Sequence, residues 1–180
     1  KLVWPNTKEK LNLDTFSHAL WGKALFGYKG ARYSPFLLGA APDLFSFIPY
    51  TLFKLFGSTN AKLFGKPVIE EMPSWVFNLY DLGHSFVTFL IVISVLVILK
   101  KKVLAFASLS WAFHILLDFP FHTKEFFPTK IFWPINDFTY DGVSWANPQV
   151  WFMNLFFLCL FFFYRFKPGK DSKSWTYFSP

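Results

Sequence analysis

The sequence predicts an all-α membrane protein, a multi-pass bundle of about five transmembrane helices of which some are half-length or kinked. Three observations predict this fold. The chain has 180 residues, of which 53% are hydrophobic and 27 are Phe. Its apolar residues form long runs, several of them close to the roughly 20 residues that a bilayer span needs. Its basic residues, which give a net charge of +7, lie at the ends of those runs, as they do beside membrane helices.

Five apolar segments are the predicted helices. Phe86–Leu99 is uninterrupted, and with Leu79–Ser85 in front of it the segment reaches the length of a span. The other four, in chain order, are Thr15–Tyr28, the proline-containing Ser34–Phe56, Val103–Phe121 and Val150–Phe166. Gly57–Pro73 and Lys124–Pro148 are predicted loops because they are rich in Gly, Pro, Asn and Asp.

The segments predict one membrane-embedded domain, residues 1–166, followed by a polar C-terminal tail, residues 167–180. Lys1–Asp14 lacks the hydrophobic core of a signal peptide, and a first residue other than Met predicts a trimmed or processed chain. The single cysteine, Cys159, lies in an apolar run, so no disulfide framework and no cysteine-based zinc motif are expected.

The positions of the basic residues predict the orientation. Lys100–Lys102 lies between two spans, and the positive-inside rule places it on the cytoplasmic side. The last span ends beside a second basic group on the same side, formed by Arg165, Lys167, Lys170 and Lys173. Four tryptophans then fall near the outer interface, namely Trp75, Trp133, Trp145 and Trp151.

Two other classes of protein were weighed against this interpretation. Nucleic-acid binding is not expected, because the basic residues are not interleaved with stacking aromatic residues along one face. A soluble protein with buried hydrophobic helices remains the competing interpretation of the fold.

Ionisable residues inside the apolar segments have matching heights on two predicted hairpins. His84 lies sixteen residues before Lys100, and Asp118 lies sixteen residues after Lys102. At 1.5 Å per residue, both side chains are about 24 Å above the turn. At the other basic turn, His18 and Asp43 each lie eleven residues from its ends, at Lys29 and Arg32. Hydrophobic packing alone does not require such pairs.

The helix that carries Asp118 also contains His114 one turn deeper and, if it continues past Pro120, His122 one turn higher on the same face. A single histidine on an apolar helix is more often a core residue bonded to a carbonyl group than a metal ligand. Four histidines and two aspartates in register favour a metal site instead, because imidazole and carboxylate suit Zn²⁺ or a similar divalent ion. Ionisable residues within membrane spans are candidates for function.

Four motifs resemble the bacterial and archaeal membrane-bound metal-dependent hydrolase family, which is named by analogy with zinc-dependent phospholipase C. They are SHALWG (Ser17–Gly22), LLGAAPD (Leu37–Asp43), LGHS (Leu82–Ser85) and HILLD (His114–Asp118). Pro128–Trp145 is similar to the signature of one subgroup. Together these segments cover most of Thr15–Trp151.

The resemblance implies an α-helical bundle in a bacterial or archaeal inner membrane, with one or two Zn²⁺ or other divalent ions. The metal ligands that it implies are His18, Asp43, His84, His114 and Asp118. His122 is added from its spacing alone. The chain departs from the family at Phe45, where many relatives have a second acid, and at Leu79–Tyr80, where many have His-Arg. One metal instead of two, a different substrate or a weakened enzyme are the possible consequences.

The leading hypothesis is a membrane-embedded metal-dependent hydrolase with its site towards the extracytoplasmic side. It would cleave a phosphoester of a lipid or lipid-linked substrate by means of metal-activated water. Asp118 is the predicted catalytic residue, either as a bridge between two metals or as the acceptor of a proton from water. Asp81 either orients a ligand or is a solvated helix-start acid. Lys124 and Lys130 either attract a phosphate or are ordinary interfacial lysines.

Two alternatives remain open. The same residues can hold a structural metal, or form a metal-free polar network, in a non-catalytic membrane subunit that belongs to an oligomer or a larger complex. Saturated ligands would favour that role, whereas an open coordination position would favour an enzyme. A metal or proton transporter would need polar residues that continue to the cytoplasmic side, and Phe86–Leu99 offers only Thr88 and Ser94.

Overall fold

The protein is all-helical in its computed structural model, which describes residues 13–28, 31–57 and 69–166. This part of the chain contains no β-strand, only a single bridge between Thr123 and Phe126. Its helices are α1 (Leu13–Phe26), α2 (Ser34–Phe56), α3 (Ser74–Gly83), α4 (Phe86–Ile98), α5 (Lys102–Ala107), α6 (Leu109–Phe121) and α7 (Pro148–Arg165), with a 3-10 turn at Ile69–Glu71. Residues 1–12, the middle of the predicted loop Gly57–Pro73 (residues 58–68) and the predicted tail (residues 167–180) lie outside the described residues.

Two helices are long and apolar enough to cross a membrane. They are α2 and the 20-residue helix Lys102–Phe121, which α5 and α6 form together. A third span is present if α3 and α4, which are bent by 53° at their junction, count as one. The prediction of an all-α fold is therefore confirmed, and two or three helices have the length and composition of membrane spans.

The apolar segment predicted over Leu79–Leu99 is not one straight helix, because it breaks between α3 and α4. Ser85 causes the break: its hydroxyl accepts hydrogen bonds from the first turn of α4 and donates one to the carbonyl of Trp133. The backbone N–H of Phe86 donates to the carbonyl of Ile131 at 2.9 Å. A serine cap and a neighbouring loop thus replace the hydrogen bonds of an unbroken helix.

α1 and α2 approach each other closely at two glycines. A Cβ atom on Gly39 would lie 2.6 Å from the carbonyl oxygen of His18, and one on Gly22 would lie 2.1 Å from the carbonyl oxygen of Pro35. Only glycine fits where two helix backbones come this close. Both glycines belong to the motifs noted in the sequence, and they fix the level of His18 along α2.

A long loop after α6, residues 123–147, lies across the C-terminal end of that helix and is called the strap below. Three of its backbone N–H groups donate to the last turn of α6: Gly142 to His122 at 2.9 Å, Val143 to Pro120 at 3.0 Å and Trp145 to Phe121 at 3.2 Å. Carbonyl groups at a helix C-terminus have no partner within the helix. The strap supplies those partners and holds Trp145 over the end of α6.

The strap also takes part in the two apolar clusters of the core. One cluster joins it to α2 and α3 and consists of Tyr50, Met72, Val76, Tyr80 and Phe127. The other joins it to α4 and α6 and consists of Phe89, Ile115 and Ile131. The strap is therefore a packed part of the fold and not a loose connection.

α7 is joined to α1 by a chain of side-chain hydrogen bonds. The indole N–H of Trp21 donates to the Asn154 side-chain oxygen at 2.7 Å, and the Asn154 amide donates to the Ser17 hydroxyl at 3.0 Å. Most of the remaining surface of α7 is apolar and exposed.

Candidate metal centre

Four of the predicted ligands form one compact, buried group. Each of Asp43, His84, His114 and Asp118 offers a ligand atom, and these four atoms all lie within 4.8 Å of one another. α2 contributes Asp43, the break between α3 and α4 contributes His84, and α6 contributes His114 and Asp118. All four residues are buried. The group could hold a metal ion, and it is called the four-residue group below.

The distances within this group suit a tetrahedral metal site. The Nε2 atoms of His84 and His114 are 3.0 Å apart, and each is 3.1 Å from Asp118 Oδ2. Asp43 Oδ1 lies 3.4 Å from His84 Nε2 and 3.7 Å from His114 Nε2. Neighbouring ligands of a tetrahedral Zn²⁺ are about 3.3–3.6 Å apart, given metal–ligand bonds of about 2.0–2.2 Å. The observed separations lie within that range and on both sides of it.

The far nitrogen of each imidazole fixes the orientation of its ring. His84 Nδ1 lies 2.9 Å from the carbonyl oxygen of Tyr80, and His114 Nδ1 lies 2.6 Å from that of Gly39. A carbonyl oxygen only accepts hydrogen bonds, so both Nδ1 atoms carry the proton. In the neutral form, each ring therefore turns the lone pair of Nε2 towards the centre, as metal-ligating histidines do.

Acceptor atoms thus converge at the centre of the group. Asp118 Oδ2 is buried and receives no hydrogen bond within the described part of the chain, although two Nε2 atoms lie close to it. Buried acceptors that face one another repel, and either a cation or additional protons must offset this repulsion. The donor set of two imidazoles and two carboxylates is one that Zn²⁺ and related ions bind.

Asp118 has a second side, which faces different residues. Its Oδ1 atom lies 2.8 Å from His18 Nε2, 3.5 Å from His122 Nε2 and 3.3 Å from the indole nitrogen of Trp145. His122 Nδ1 donates to the carbonyl of Phe127 at 2.8 Å, which repeats the pattern of His84 and His114. The two oxygens of one carboxylate therefore face two sets of imidazoles, which touch where the His18 and His114 ring centroids lie 3.9 Å apart.

Asp43 is held from outside the cluster by Thr15. The Thr15 hydroxyl donates to Asp43 Oδ2 at 2.6 Å, so that Oδ1 faces His84 and His114. Hydrogen bonds of this kind orient metal-ligating carboxylates. Thr15 was not singled out in the sequence, although it lies about one turn before His18 on the same helix.

Tyr80 connects two of the histidines. Its ring stacks on His84, with the ring centroids 3.7 Å apart and the planes 18° from parallel. Its hydroxyl lies 3.3 Å from His122 Nδ1 and 3.2 Å from the hydroxyl of Thr129. Tyr80, which the sequence marks only as a departure from the family pattern, is therefore part of the site, and its spacing of four residues from His84 was the available signal.

The structure brings all six predicted ligands into one cluster, with one shift in register. His84 and Asp118 lie at the same level, as the lysine turn predicts. In the first hairpin, however, Asp43 is bonded to Thr15, and the backbone of His18 lies against Gly39. Both contacts lie about one helical turn away from the predicted level. The prediction counted residues from Lys29, whereas α1 ends at Phe26.

The expectation that Asp81 orients a ligand is not met at His84, whose Nδ1 is bonded to a backbone carbonyl. Asp81 is buried and pairs with Lys130 at 2.9 Å, so it is not a solvated acid either. The hydrogen bond from Lys130 to Asp81 raises the pKa of Lys130. Lys130 also lies 3.5 Å from Asp137, and these two acids neutralise the charge that was expected to attract a phosphate. Lys124 is exposed, and its backbone N–H donates to Asp141.

No protein-family model, no curated protein and no solved structure matches the chain. The resemblance to the hydrolase family therefore stays a prediction from the four motifs.

Proposed function

We propose that this chain is a membrane-embedded metal-dependent hydrolase that acts on a phosphoester of a lipid or lipid-linked substrate. The observation that carries the metal is the convergence of acceptor atoms in the four-residue group, whose imidazoles are held by backbone carbonyls. Hydrolysis is inferred from the resemblance of the four motifs to the membrane-bound metal-dependent hydrolases.

The residues of the four-residue group would hold Zn²⁺ or another divalent ion. When bound, such an ion polarises a phosphoryl oxygen and makes water a nucleophile near neutral pH. Of the two roles predicted for Asp118, a bridge between two metals fits better, because its two oxygens contact the two sets of imidazoles. Trp145 donates a hydrogen bond to this carboxylate and limits its rotation.

The membrane part of the proposal is a multi-pass bundle in a bacterial or archaeal inner membrane, with the lysine turn at Lys100–Lys102 on the cytoplasmic side. The outward faces of α4 and α7 support it, since they expose large apolar side chains such as Ile91 and Phe163. Asp118 lies three residues before the end of α6, about 5 Å along the helix axis. The cluster would thus be near the extracytoplasmic surface, within reach of lipid headgroups.

One observation favours a second candidate, a non-catalytic membrane subunit with a structural metal. The four-residue group supplies four protein ligands, which is the number that structural zinc sites use, whereas catalytic zinc sites keep one position open. In the metal-free form of this candidate, extra protons on the imidazoles would have to bridge the converging acceptors.

The test is elemental analysis of the purified protein in detergent micelles, followed by assays with a panel of phospholipids. The wild type is compared with His114→Ala/Asp118→Ala and, as a control, with Asp137→Ala, which changes an exposed acid outside the cluster. We expect metal and the release of phosphate or diacylglycerol in the wild type and the control, and neither in the double variant.

Each other outcome has a definite meaning. A wild type without bound metal at neutral pH rejects the metal site. Metal without hydrolysis of any phosphoester favours the structural candidate. Hydrolysis that survives in the double variant rejects these residues as the active site.

A further inference from the structure

We infer that His18, His122 and Asp118 Oδ1 form a second cation site with three protein ligands, and that the phosphate of the substrate binds there and not at the four-residue group. This inference rests on the proposed function and specifies which part of the cluster meets the substrate.

The first step is the division of the cluster by Asp118. Its Oδ2 atom is 3.1 Å from both His84 and His114, whereas its Oδ1 atom is near His18 and His122, at 2.8 and 3.5 Å. A carboxylate with one oxygen directed at each of two ligand sets is the arrangement by which proteins hold pairs of metal ions about 3.5–4 Å apart.

The second step is the quality of His122 as a ligand. The carbonyl of Phe127 accepts from its Nδ1 at 2.8 Å, and the Tyr80 hydroxyl lies 3.3 Å from the same nitrogen. The Tyr80 hydroxyl is itself within 3.2 Å of Thr129. These contacts hold the ring so that Nε2 faces Asp118, and such outer contacts are what metal-ligating histidines require.

The third step is the number of ligands. The four-residue group supplies four protein ligands, whereas the described residues supply three on the Oδ1 side, one fewer than a four-coordinate ion needs. Three protein ligands with an open position are typical of catalytic zinc sites. His122 is also the one predicted ligand that is not fully buried, so the second site is the more accessible of the two.

The fourth step identifies the ligand of the open position. Trp145 points its indole N–H at Asp118 Oδ1 from 3.3 Å, and its ring stands edge-on to His18 with centroids 5.4 Å apart. Because this N–H is committed to Asp118, the open position of the cation itself would attract the ligand, and a metal ion of this kind binds an anionic phosphoryl oxygen. A phosphate oxygen has this chemistry, and it matches the phosphoester of the proposed function.

Metal titration of the metal-free protein in detergent micelles tests the second site. We expect two Mn²⁺ ions per chain, with the spin-coupled electron paramagnetic resonance signal of an ion pair, and one uncoupled ion in His122→Ala. A wild type that binds a single ion at saturation overturns the second site and leaves the proposed function intact. A wild type that binds none rejects both. Two ions in His122→Ala exclude His122 as a ligand and overturn the inference.

Tyr80→Phe tests the same site without removing a ligand, and it replaces His122→Ala if that variant does not fold. Loss of the hydroxyl is expected to weaken the second ion about 10- to 100-fold and to leave the first unchanged. Tyr50→Phe, at a buried tyrosine of the same apolar cluster, is the control and should change neither. If Tyr80→Phe weakens both ions equally or neither, Tyr80 does not position a second site.

Inorganic phosphate tests where the substrate binds. Its ³¹P resonance should broaden when the second equivalent of Mn²⁺ is added to the wild type, and it should not broaden at one equivalent or with His122→Ala. Equal broadening at one equivalent would assign phosphate to the four-residue group and overturn this part of the inference.

Discussion

Asp43 and Asp118 are both buried carboxylates on long apolar helices, and they differ in what surrounds them. Asp43 faces two imidazoles with one oxygen, at 3.4 and 3.7 Å, and a threonine hydroxyl holds the other oxygen. Asp118 lies within 3.5 Å of four imidazoles, two on each oxygen. Asp43 therefore contacts one set of imidazoles, whereas Asp118 contacts both sets.

The difference shows how a small helical domain can build a site around one residue. α6 carries His114 and Asp118, and His122 directly follows its last residue, so one helix and the residue after it supply half of the predicted ligands. α1, α2 and the break before α4 add one ligand each. The consequences of changing the two carboxylates should therefore be unequal.

The largest effect is expected from the matched pair Asp118→Asn and Asp43→Asn, which make the same chemical change in the two carboxylates. Asp118→Asn removes a ligand from both sets of imidazoles and should abolish metal binding, with a loss well beyond the roughly 100-fold typical of an outer contact. Asp43→Asn leaves His84, His114 and Asp118 in place and should weaken the first ion while the second persists. Competition with a chromophoric chelator measures both. Equal losses in the two variants would contradict the distinction between the carboxylates.

Removal of the metal should lower the stability of the wild type and leave that of Asp118→Asn unchanged. A ligand present at 100 times its dissociation constant stabilises the native state by about 2.7 kcal/mol, so chelation should lower the free energy of unfolding of the wild type by about that amount. Asp118→Asn, which holds no metal, should not respond to the chelator. Thermal unfolding in micelles, followed by tryptophan fluorescence, is the measurement, and a response in Asp118→Asn equal to that of the wild type would count against it.

Thr15→Val tests the role of Asp43 separately from that of Asp118, because the Thr15 hydroxyl bonds to Asp43. Loss of the 2.6 Å hydrogen bond should weaken the first ion about 10-fold, at the lower end of the range for contacts that orient a ligand, and should leave the second unchanged. Thr51→Val is the matched control, since its hydroxyl bonds to a backbone carbonyl on the exposed face of α2. A similar weakening in the control would show that the effect is not specific to Asp43.

The smallest effect is expected from Asn154→Leu, which breaks the hydrogen bonds between α7 and α1. Hydrogen bonds between membrane helices contribute about 0.6 kcal/mol each on average, so the free energy of unfolding should fall by about 1 kcal/mol. Metal affinity should be unchanged, because Asn154 bonds to Trp21 and Ser17 and not to a predicted ligand. A loss of metal in this variant would extend the site to α7.

The sequence predicts the helices better than it predicts their interruptions. Ser34–Phe56 was predicted as one apolar segment and is one helix despite its prolines, with Pro35 in the first turn where a missing N–H costs little. The break at Ser85 was missed because the apolar run continues through it. A serine directly before such a run is a helix-start signal, but Ser85 is effective only with the carbonyl of Trp133 beside it, almost 50 residues away.

The sequence predicted the candidate ligands, but it did not predict the residues that surround them. Spacing along the helices brought His84 level with Asp118, since rise per residue is a local property. Thr15, Tyr80 and Trp145 act through contacts between distant parts of the chain, which counting residues does not reveal. The register of the first hairpin was predicted one turn off for a similar reason, because the described residues between α1 and α2 (27–28 and 31–33) are not helical.

The bend between α3 and α4 has a mechanical consequence. His84 lies at the junction, where Tyr80 holds its ring on the α3 side, and α4 begins anew at Ser85. Bilayers differ in thickness, and a helix that spans them adjusts by tilting. An unbroken helix would carry such a tilt into the cluster and displace the imidazole. In the proposed membrane setting, the 53° joint would let α4 tilt with the lipid without moving His84, and the site would then be insulated from deformation of the bilayer.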